Sequence, residues 1–178
     1  MKFLRIVIYI VLAIGIVFLA LGVIAPHDYH VERTAVVNSP KEAVFPHVRD
    51  WAKWRAWSPW AERDPSMKFV ITGKDGTVGS TYIWTGDPKM SGQGKMENIG
   101  VKENEEMAYH LSFLVPFESE AFGYFRVKDV PGGTQVAWGF HAHYPFPQHV
   151  MLLFANMEEM LAKDFDHGLA RLKQIVEK

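Results

Sequence analysis

The 178-residue chain contains no cysteine. This absence excludes a disulfide framework, a thiolate zinc site, a cysteine nucleophile and a lipidated N-terminal cysteine. A basic surface is missing too, because 19 Lys and Arg are balanced by 20 Asp and Glu, for a net charge of −1. Sequence-independent binding to nucleic acid needs clustered Lys and Arg that neutralise phosphates, so we predict no nucleic-acid partner.

A run without charged residues extends from Ile6 to Ala25 near the start of the chain. As a helix this run rises about 30 Å, which matches the hydrocarbon thickness of a bilayer. A signal peptide has a shorter apolar region of about 7 to 15 residues, so we favour a transmembrane anchor over a cleaved signal at Ala20-Leu21-Gly22. Lys2 and Arg5 precede the run, and the positive-inside bias predicts a cytoplasmic N-terminus with the domain in the periplasm or extracellular space.

The chain length suits one globular domain with this appendage. We divide it into an anchor over residues 1–25, a linker over residues 26–30 and a domain over residues 31–178. The domain opens with a β-branched, alternating segment from Val31 to Val37 that predicts a strand. Ser39 then predicts an N-cap, and Glu42 completes a capping box, so a helix with an irregular connector runs from about residue 40 to residue 60.

The rest of the domain changes from strand patterns to a helix pattern. Alternating segments with short turns predict an antiparallel meander over residues 67–72, 77–85, 93–102, 107–115, 118–127 and 134–144. Apolar residues at spacings of three and four from Met157 to Val176 predict one long amphipathic helix. Gly168 lies inside this helix at a cost of about 1 kcal/mol relative to Ala, which indicates a close approach to the sheet.

This order predicts an α+β fold in which a curved antiparallel sheet of about seven strands wraps around the long C-terminal helix. The space between the concave face and that helix is either a packed core or a cavity.

Four of the six tryptophans fall at three-residue intervals, at positions 51, 54, 57 and 60. Steps of three walk around a helix axis instead of forming one stripe, and Pro59 ends any helix near Trp57. We therefore predict a short aromatic connector that caps the open end of a hollow fold. A hydrophobic plug that completes a core with no ligand behind it is the alternative.

Several weak motifs in a fixed order resemble the START-like (SRPBCC) superfamily of polyketide cyclases/dehydrases and lipid-transfer domains. They are Asn38-Ser39-Pro40-Lys41-Glu42-Ala43-Val44-Phe45, Trp57-Ser58-Pro59-Trp60, Gly76-Thr77-Val78-Gly79, Gly133-Thr134-x-Val136-x-Trp138 and Asp164-Phe165-x-x-Gly168-Leu169-x-x-Leu172-Lys173. The resemblance spans residues 30 to 178. It implies a helix-grip fold with a hydrophobic-ligand cavity between sheet and helix, but no particular reaction and no catalytic residue.

Two further groups of polar residues have alternative interpretations. His141 and His143 lie on one face of a strand and would hold a metal if His110 converged as a third ligand, but a solvent-facing pair is the favoured interpretation. Glu62 and Asp64 predict a solvated rim beside the tryptophans, with a paired-carboxylate acid/base site as the alternative. We predict neither a metal nor a cofactor.

The leading functional prediction is membrane-tethered binding of a small hydrophobic or amphipathic ligand, such as a lipid, a quinone or an aromatic metabolite. The predicted ligand-binding residues are Trp57, Trp60, Trp84, Tyr109, Phe113, Trp138, Phe140, Met157 and Leu161. One alternative is a cyclase- or dehydrase-type enzyme that uses buried polar groups, with Tyr82, Tyr109, His110 and Arg126 as candidates. The other is a non-catalytic envelope interaction module with a filled core. The oligomeric state is not predicted.

Overall fold

The computed structural model describes residues 2–154 and 156–178. The helices in this part of the chain are α1 Lys2–Ile24, α2 Lys41–Arg49, α3 Trp51–Trp54, α4 Pro59–Arg63 and α5 Met157–Val176. The strands are β1 Asp28–Val37, β2 Lys68–Thr72, β3 Thr81–Thr85, β4 Gln93–Lys102, β5 Glu106–Val115, β6 Ser119–Val130 and β7 Gly133–His143. A 3-10 helix, Gln148–Leu153, precedes α5.

All seven strands join one antiparallel sheet in the order β1-β7-β6-β5-β4-β3-β2. The strands β2 to β7 form the predicted meander, and β1 returns to pair with β7 from Asp28 opposite His143 to Val37 opposite Thr134. Burial alternates along the strands, so one face of the sheet carries the core. The predicted α+β fold, a curved sheet with a long C-terminal helix, is confirmed.

Helix α5 packs on the core face of the sheet, most extensively beside β1. Its buried side is formed by Ala162, Phe165, Gly168, Leu169 and Leu172, at the spacings of three and four that the sequence showed. A Cβ atom at Gly168 would lie 2.9 Å from the Trp138 ring. The close approach predicted at this glycine is therefore present, and it brings the helix directly against β7.

Helix α1 projects from this domain. The segment Phe3–Ile24 is long and apolar enough to cross a membrane, and side chains from Phe3 onward are exposed except at Leu21 and Gly22, which are half-buried. The last two turns of α1 contact the chain that follows β7. The Phe146 ring lies 6.0 Å from the Phe18 ring between centroids, and His149 Nε2 donates a 2.9 Å hydrogen bond to the Gly22 carbonyl.

Two local predictions are corrected. Strand β1 begins at Asp28, three residues before the predicted Val31, because residues 28–30 pair with residues 141–143. The predicted capping box is wrong, because α2 begins at Lys41 and its N-cap is Pro40, without a side-chain hydrogen bond. Ser39 belongs instead to the turn after β1, where its carbonyl accepts a 2.7 Å hydrogen bond from Thr134 Oγ1.

The tryptophan connector is built from two short helices, α3 and α4. The Asp75 carboxylate, in the turn between β2 and β3, accepts the backbone N–H groups of Trp51 at 2.8 Å and Ala52 at 3.0 Å. Ser58 caps α4 by accepting the N–H of Ala61. The hairpin turn and the connector therefore fix each other, which sets the direction in which the tryptophans point.

Candidate functional site

A cavity of about 450 Å³ separates part of the sheet from α5. Its floor is the concave face of the sheet, and its roof is the first turns of α5. Residues 88–90 and Pro116 belong to its wall and are exposed, so the cavity opens beside them. Small-molecule pockets begin at about 300 Å³, so the space has the size of a ligand site.

The alternation of strand side chains supplies the floor of the cavity. Strand β5 directs Tyr109, Leu111 and Phe113 toward it, and β3 directs Tyr82 and Trp84. The rings of Trp84 and Phe113 meet edge to face at 6.0 Å between centroids. Because successive residues of a strand point to opposite faces, every second residue of each strand contributes to the cavity wall.

Seven of the nine predicted ligand-binding residues line the cavity. They are Trp60, Trp84, Tyr109, Phe113, Phe140, Met157 and Leu161. Trp57 and Trp138 lie instead in the packed core beside the cavity, and each is 0% exposed. The indole N–H of Trp57 is donated to the His47 carbonyl at 3.0 Å, and the Trp138 ring stacks on Phe165 at 3.9 Å between centroids. Both tryptophans therefore support the wall from behind.

Sequence reasoning missed other residues of the wall. They include Tyr29, Trp54, Met67, Met96, Leu111 and Tyr144. Leu111 lies between Tyr109 and Phe113 in the same inward-facing series, so strict alternation would have found it. Trp54 had no such signal, because the direction of the single turn α3 is set by the distant Asp75.

Tyr82 and Tyr109, two of the polar candidates, lie in the cavity wall. The Tyr109 hydroxyl accepts a 3.1 Å hydrogen bond from Trp138 Nε1, and burial raises the pKa of Tyr109. Burial also raises the pKa of Tyr82 to about 12. Both hydroxyl groups therefore stay neutral near pH 7, where each can donate or accept a hydrogen bond.

The other two polar candidates lie outside the cavity. His110 Nε2 lies 2.6 Å from a Glu120 carboxylate oxygen, and Arg126 Nε donates to Glu106 at 2.6 Å. The prediction that His110 or Arg126 could act inside the cavity is wrong, because each occupies an outward position of its strand.

Asp64 fastens the segment 86–92 at the cavity opening. The side chain is almost fully buried, and its carboxylate accepts the N–H of Asp87 at 2.8 Å and the N–H of Ser66 at 3.1 Å. The hydroxyl groups of Ser66 and Ser91 donate to the same carboxylate. These hydrogen bonds, led by that from the Ser66 hydroxyl, lower the pKa of Asp64 to about 2. The prediction that Asp64 lies on a solvated rim is therefore wrong.

The remaining acidic and histidine candidates lie at the surface. Glu62 is exposed and lies 2.7 Å from His167 Nε2, so it does not share a site with the buried Asp64. His141 and His143 are exposed beside Asp28, with His143 Nδ1 2.9 Å from its carboxylate. Across residues 2–154 and 156–178, no group of three or more His, Cys, Asp or Glu side chains could hold a metal ion.

The domain is similar to known proteins. The family profile described as polyketide cyclase / dehydrase and lipid transport matches residues 28–177. Solved structures share the fold. A protein from Chromobacterium violaceum is 16% identical, with 86% of this chain and 99% of that chain covered and a TM-score of 0.60. A protein from Mesorhizobium loti is 13% identical, with coverage of 84% and 97% and a TM-score of 0.61.

A third similar structure is the di-domain ARO/CYC StfQ from the steffimycin biosynthetic pathway. It is 12% identical, with 84% of this chain and 51% of that chain covered and a TM-score of 0.63. At these identities the likeness to solved structures shows the fold alone. No curated protein matches the sequence.

Proposed function

Because the chain belongs to the family of polyketide cyclase / dehydrase and lipid transport proteins, we propose that it binds a small hydrophobic or amphipathic ligand between the sheet and α5. The observation that carries the proposal is the cavity of about 450 Å³ between the sheet and α5. A filled core at this place would have favoured an interaction module instead. Its wall includes the seven predicted binding residues named above, with Trp57 and Trp138 as supports.

The chemistry of the wall favours a ligand with a large apolar part and one polar end. Aromatic side chains such as Trp84 and Phe113 offer broad apolar surfaces, which suit a lipid tail, a quinone or an aromatic metabolite. Lys89 and Ser91 lie at the opening, where they can remain near water and contact a polar group. The ligand would therefore lie with its apolar part inward.

We further propose that α1 tethers the domain to a membrane. The helix is apolar over Phe3–Ile24 and exposed along most of that length, which is expected of a helix in lipid and not of one in water. Lys2 and Arg5 in the first turn of α1 favour a cytoplasmic N-terminus and a domain in the periplasm or extracellular space. A reporter fused after Lys178 that is active only in the cytoplasm would contradict this orientation.

A cavity-filling variant tests the binding proposal. Leu161 lies in the roof of the cavity, so Leu161→Trp adds bulk directly into the space. The full-length protein in nanodiscs is titrated with decylubiquinone, which quenches tryptophan, and with a fluorescent fatty acid. We expect a saturable signal for the unmodified chain and a loss of that signal for Leu161→Trp.

The matched control is Ile99→Trp, which adds the same residue at a position 45% exposed on β4 and outside the cavity wall. This variant should bind as the unmodified chain does. Saturable binding that is equal in both variants, or absent from the unmodified chain for both probes, would contradict the proposal.

A cyclase- or dehydrase-type reaction is the second candidate, and the orientation of Tyr109 favours it. Because Trp138 donates to the Tyr109 hydroxyl oxygen, the hydroxyl proton is available for donation to a substrate carbonyl. Such a donor stabilises the negative charge that develops on a carbonyl oxygen. With a synthetic poly-β-keto thioester, we expect Tyr109→Phe to abolish turnover while the fluorescent fatty acid still binds. Unchanged turnover in this variant would exclude the role.

A further inference from the structure

The cavity opens at the end of the sheet from which α1 departs. The strand pairs place Asp28 opposite His143, Ser119 opposite Phe113, and Thr85 opposite Gln93, so these residues share one edge of the sheet. Chain segments at residues 25–27, 64–67, 86–92, 116–118 and 144–154 enter or leave the strands at this edge. The first turn of α5 lies there as well, because Met157 and Tyr144 line the same cavity. We call this edge and its connections the open end.

Large apolar side chains are exposed around the open end. Met90, Phe117, Phe154, Met157 and Met160, hereafter the apolar rim, are 51%, 81%, 76%, 36% and 70% exposed. Outside α1, Phe117, Phe154 and Met160 are the most exposed large hydrophobic residues of the described chain. Burial of such side chains is favourable by roughly 25 cal/mol per Å² of apolar area removed from water, so exposed apolar side chains that share one end of the domain mark an interaction surface.

The contact between α1 and the domain fixes where a membrane would lie. Phe146 packs beside Phe18, which precedes the end of α1 by six residues and therefore lies about 9 Å inside the helix end. A Cβ atom at Gly22 would lie 2.9 Å from the Phe146 ring, so the contact is close. Phe146 itself is 52% exposed. A domain residue thus reaches the depth at which interfacial side chains insert, about 5 to 10 Å.

From these observations we infer that the open end docks on the bilayer that holds α1, with the apolar rim inserted at the interface and the cavity opening toward the lipid. The inference rests on the proposed function and specifies its source of ligand, namely a hydrophobic molecule dissolved in the membrane. Such a molecule would pass between bilayer and cavity without crossing water. The apolar rim therefore contacts lipid. The connection between α1 and β1 is short, at residues 25–27, so it holds the rim close to the bilayer.

The charges of the open end indicate apolar docking. Its connections and the first turn of α5 contain Lys89 as their one Lys or Arg, and their acidic residues are Asp64, Asp87, Glu118, Glu158 and Glu159. A polybasic surface that recruits anionic lipid would need several Lys or Arg. Docking should therefore occur on phosphatidylcholine alone, and added phosphatidylglycerol should not strengthen it.

The cysteine-free sequence allows a direct depth measurement. Single cysteines are introduced as Phe117→Cys and Phe154→Cys in the rim, as Leu12→Cys within α1, and as Val78→Cys, a 62% exposed position at the opposite end of the sheet. Each full-length variant is labelled with a nitrobenzoxadiazole fluorophore and reconstituted in phosphatidylcholine vesicles with and without acyl-chain bromine. We expect bromine to quench positions 12, 117 and 154 but not position 78.

If bromine quenches position 12 but leaves positions 117 and 154 unquenched, like position 78, the inference is overturned. The membrane tether of the proposed function would still hold in that case. Absence of quenching at position 12 would remove the tether, and the inference with it. Quenching at the rim combined with no binding of either probe would support the docking surface and reject the proposed function.

Uptake kinetics provide a second measurement. In the double variant Phe117→Ser/Phe154→Ser, whose two positions lie outside the cavity wall, transfer of the fluorescent fatty acid from vesicles should slow by roughly tenfold or more, since each removed side chain contributes to the contact. The same fatty acid added from ethanol solution to the nanodisc-held variant should bind at unchanged equilibrium. Equal transfer rates for the variant and the unmodified chain would contradict docking through the rim.

Discussion

Trp138 Nε1 donates a hydrogen bond to the Tyr109 hydroxyl across the intervening strand β6. Gly123 lies opposite Tyr109 on that strand, and a Cβ atom there would collide with the Tyr109 ring. The missing side chain therefore allows Tyr109 to reach two strands away. This single bond joins the cavity floor to the tryptophan on which α5 packs.

Loss of the Tyr109 hydroxyl should destabilise the fold. Tyr109→Phe leaves the buried Trp138 N–H without an acceptor, so we expect the free energy of unfolding to fall by about 1 to 3 kcal/mol. Urea denaturation of the full-length protein in micelles, followed by tryptophan fluorescence, measures the change. Tyr124→Phe is the control, because that hydroxyl bonds Glu32 on the outer face, and its cost should be about 0.5 kcal/mol or less. An equal loss of unfolding free energy in the two variants would show that the buried hydrogen bond stabilises the fold no more than the surface one.

Gly123→Ala should also destabilise the protein, by about 1 to 3 kcal/mol, because the added methyl group overpacks the floor against Tyr109. Gly100→Ala on β4 is the matched control. A Cβ atom at Gly100 meets the Ala108 side chain at an ordinary 3.7 Å, so this change should be neutral or stabilising. Thermal unfolding by circular dichroism distinguishes the two, and similar midpoints would contradict the close crossing.

The Asp64 carboxylate predicts a dependence of stability on acid. Its pKa in the folded protein is about 2, below the ordinary value of 3.8. A lowered pKa stabilises the fold fully above about pH 4, and this contribution is lost as the pH falls through about 2. The unfolding free energy of Asp64→Asn should therefore change less over that interval than that of the unmodified chain.

The same substitution should loosen the cavity opening. In Asp64→Asn at neutral pH, the backbone amides of Asp87 and Ser91 should exchange hydrogen faster. The Asp87 N–H loses its charged acceptor, and the Ser91 hydroxyl loses the carboxylate to which it donates. Asp166→Asn replaces an exposed carboxylate on α5 and is the control. Identical exchange and acid profiles in the two variants would refute the role of Asp64.

Asp75 predicts a coupling between the hairpin turn and the cavity wall. Asp75→Ala removes the acceptor of two N–H groups at the start of α3, at a cost of about 1 kcal/mol. Because α3 carries Trp54, we expect fluorescence emission to shift to longer wavelength as that indole gains water. Asp75→Asn keeps one acceptor oxygen and should shift less, whereas an unshifted Asp75→Ala spectrum would contradict the coupling.

Much of the architecture was predictable because its signals are local. Strand β5 shows its alternation over ten residues, and the spacing of apolar residues in α5 identifies its buried face. The errors arose where a distant residue competes with a local signal. Ser39 resembles an N-cap but is held by Thr134, and Asp64 resembles a surface carboxylate but is enclosed by Ser66, Asp87 and Ser91.

The candidate site was predictable to the extent that it follows strand faces. Trp84, Tyr109 and Phe113 line the cavity as their inward positions indicated, because alternation assigns every strand residue to a face. Trp57 and Trp138 show the limit of that reasoning. Both belong to the apolar interior, but whether an interior side chain borders a space or a neighbouring ring depends on residues far along the chain, here His47 and Phe165.

By itself, the amino-acid sequence determined the apolar helix α1, the order of strands and helices, and the faces that turn inward, because each follows from composition and periodicity over neighbouring residues. Tertiary structure alone decided that a cavity of about 450 Å³ remains under α5 and that the chain after β7 packs against the last turns of α1. The volume between two surfaces depends on their distance and angle, which contacts such as Gly168 with Trp138 set between residues remote in sequence.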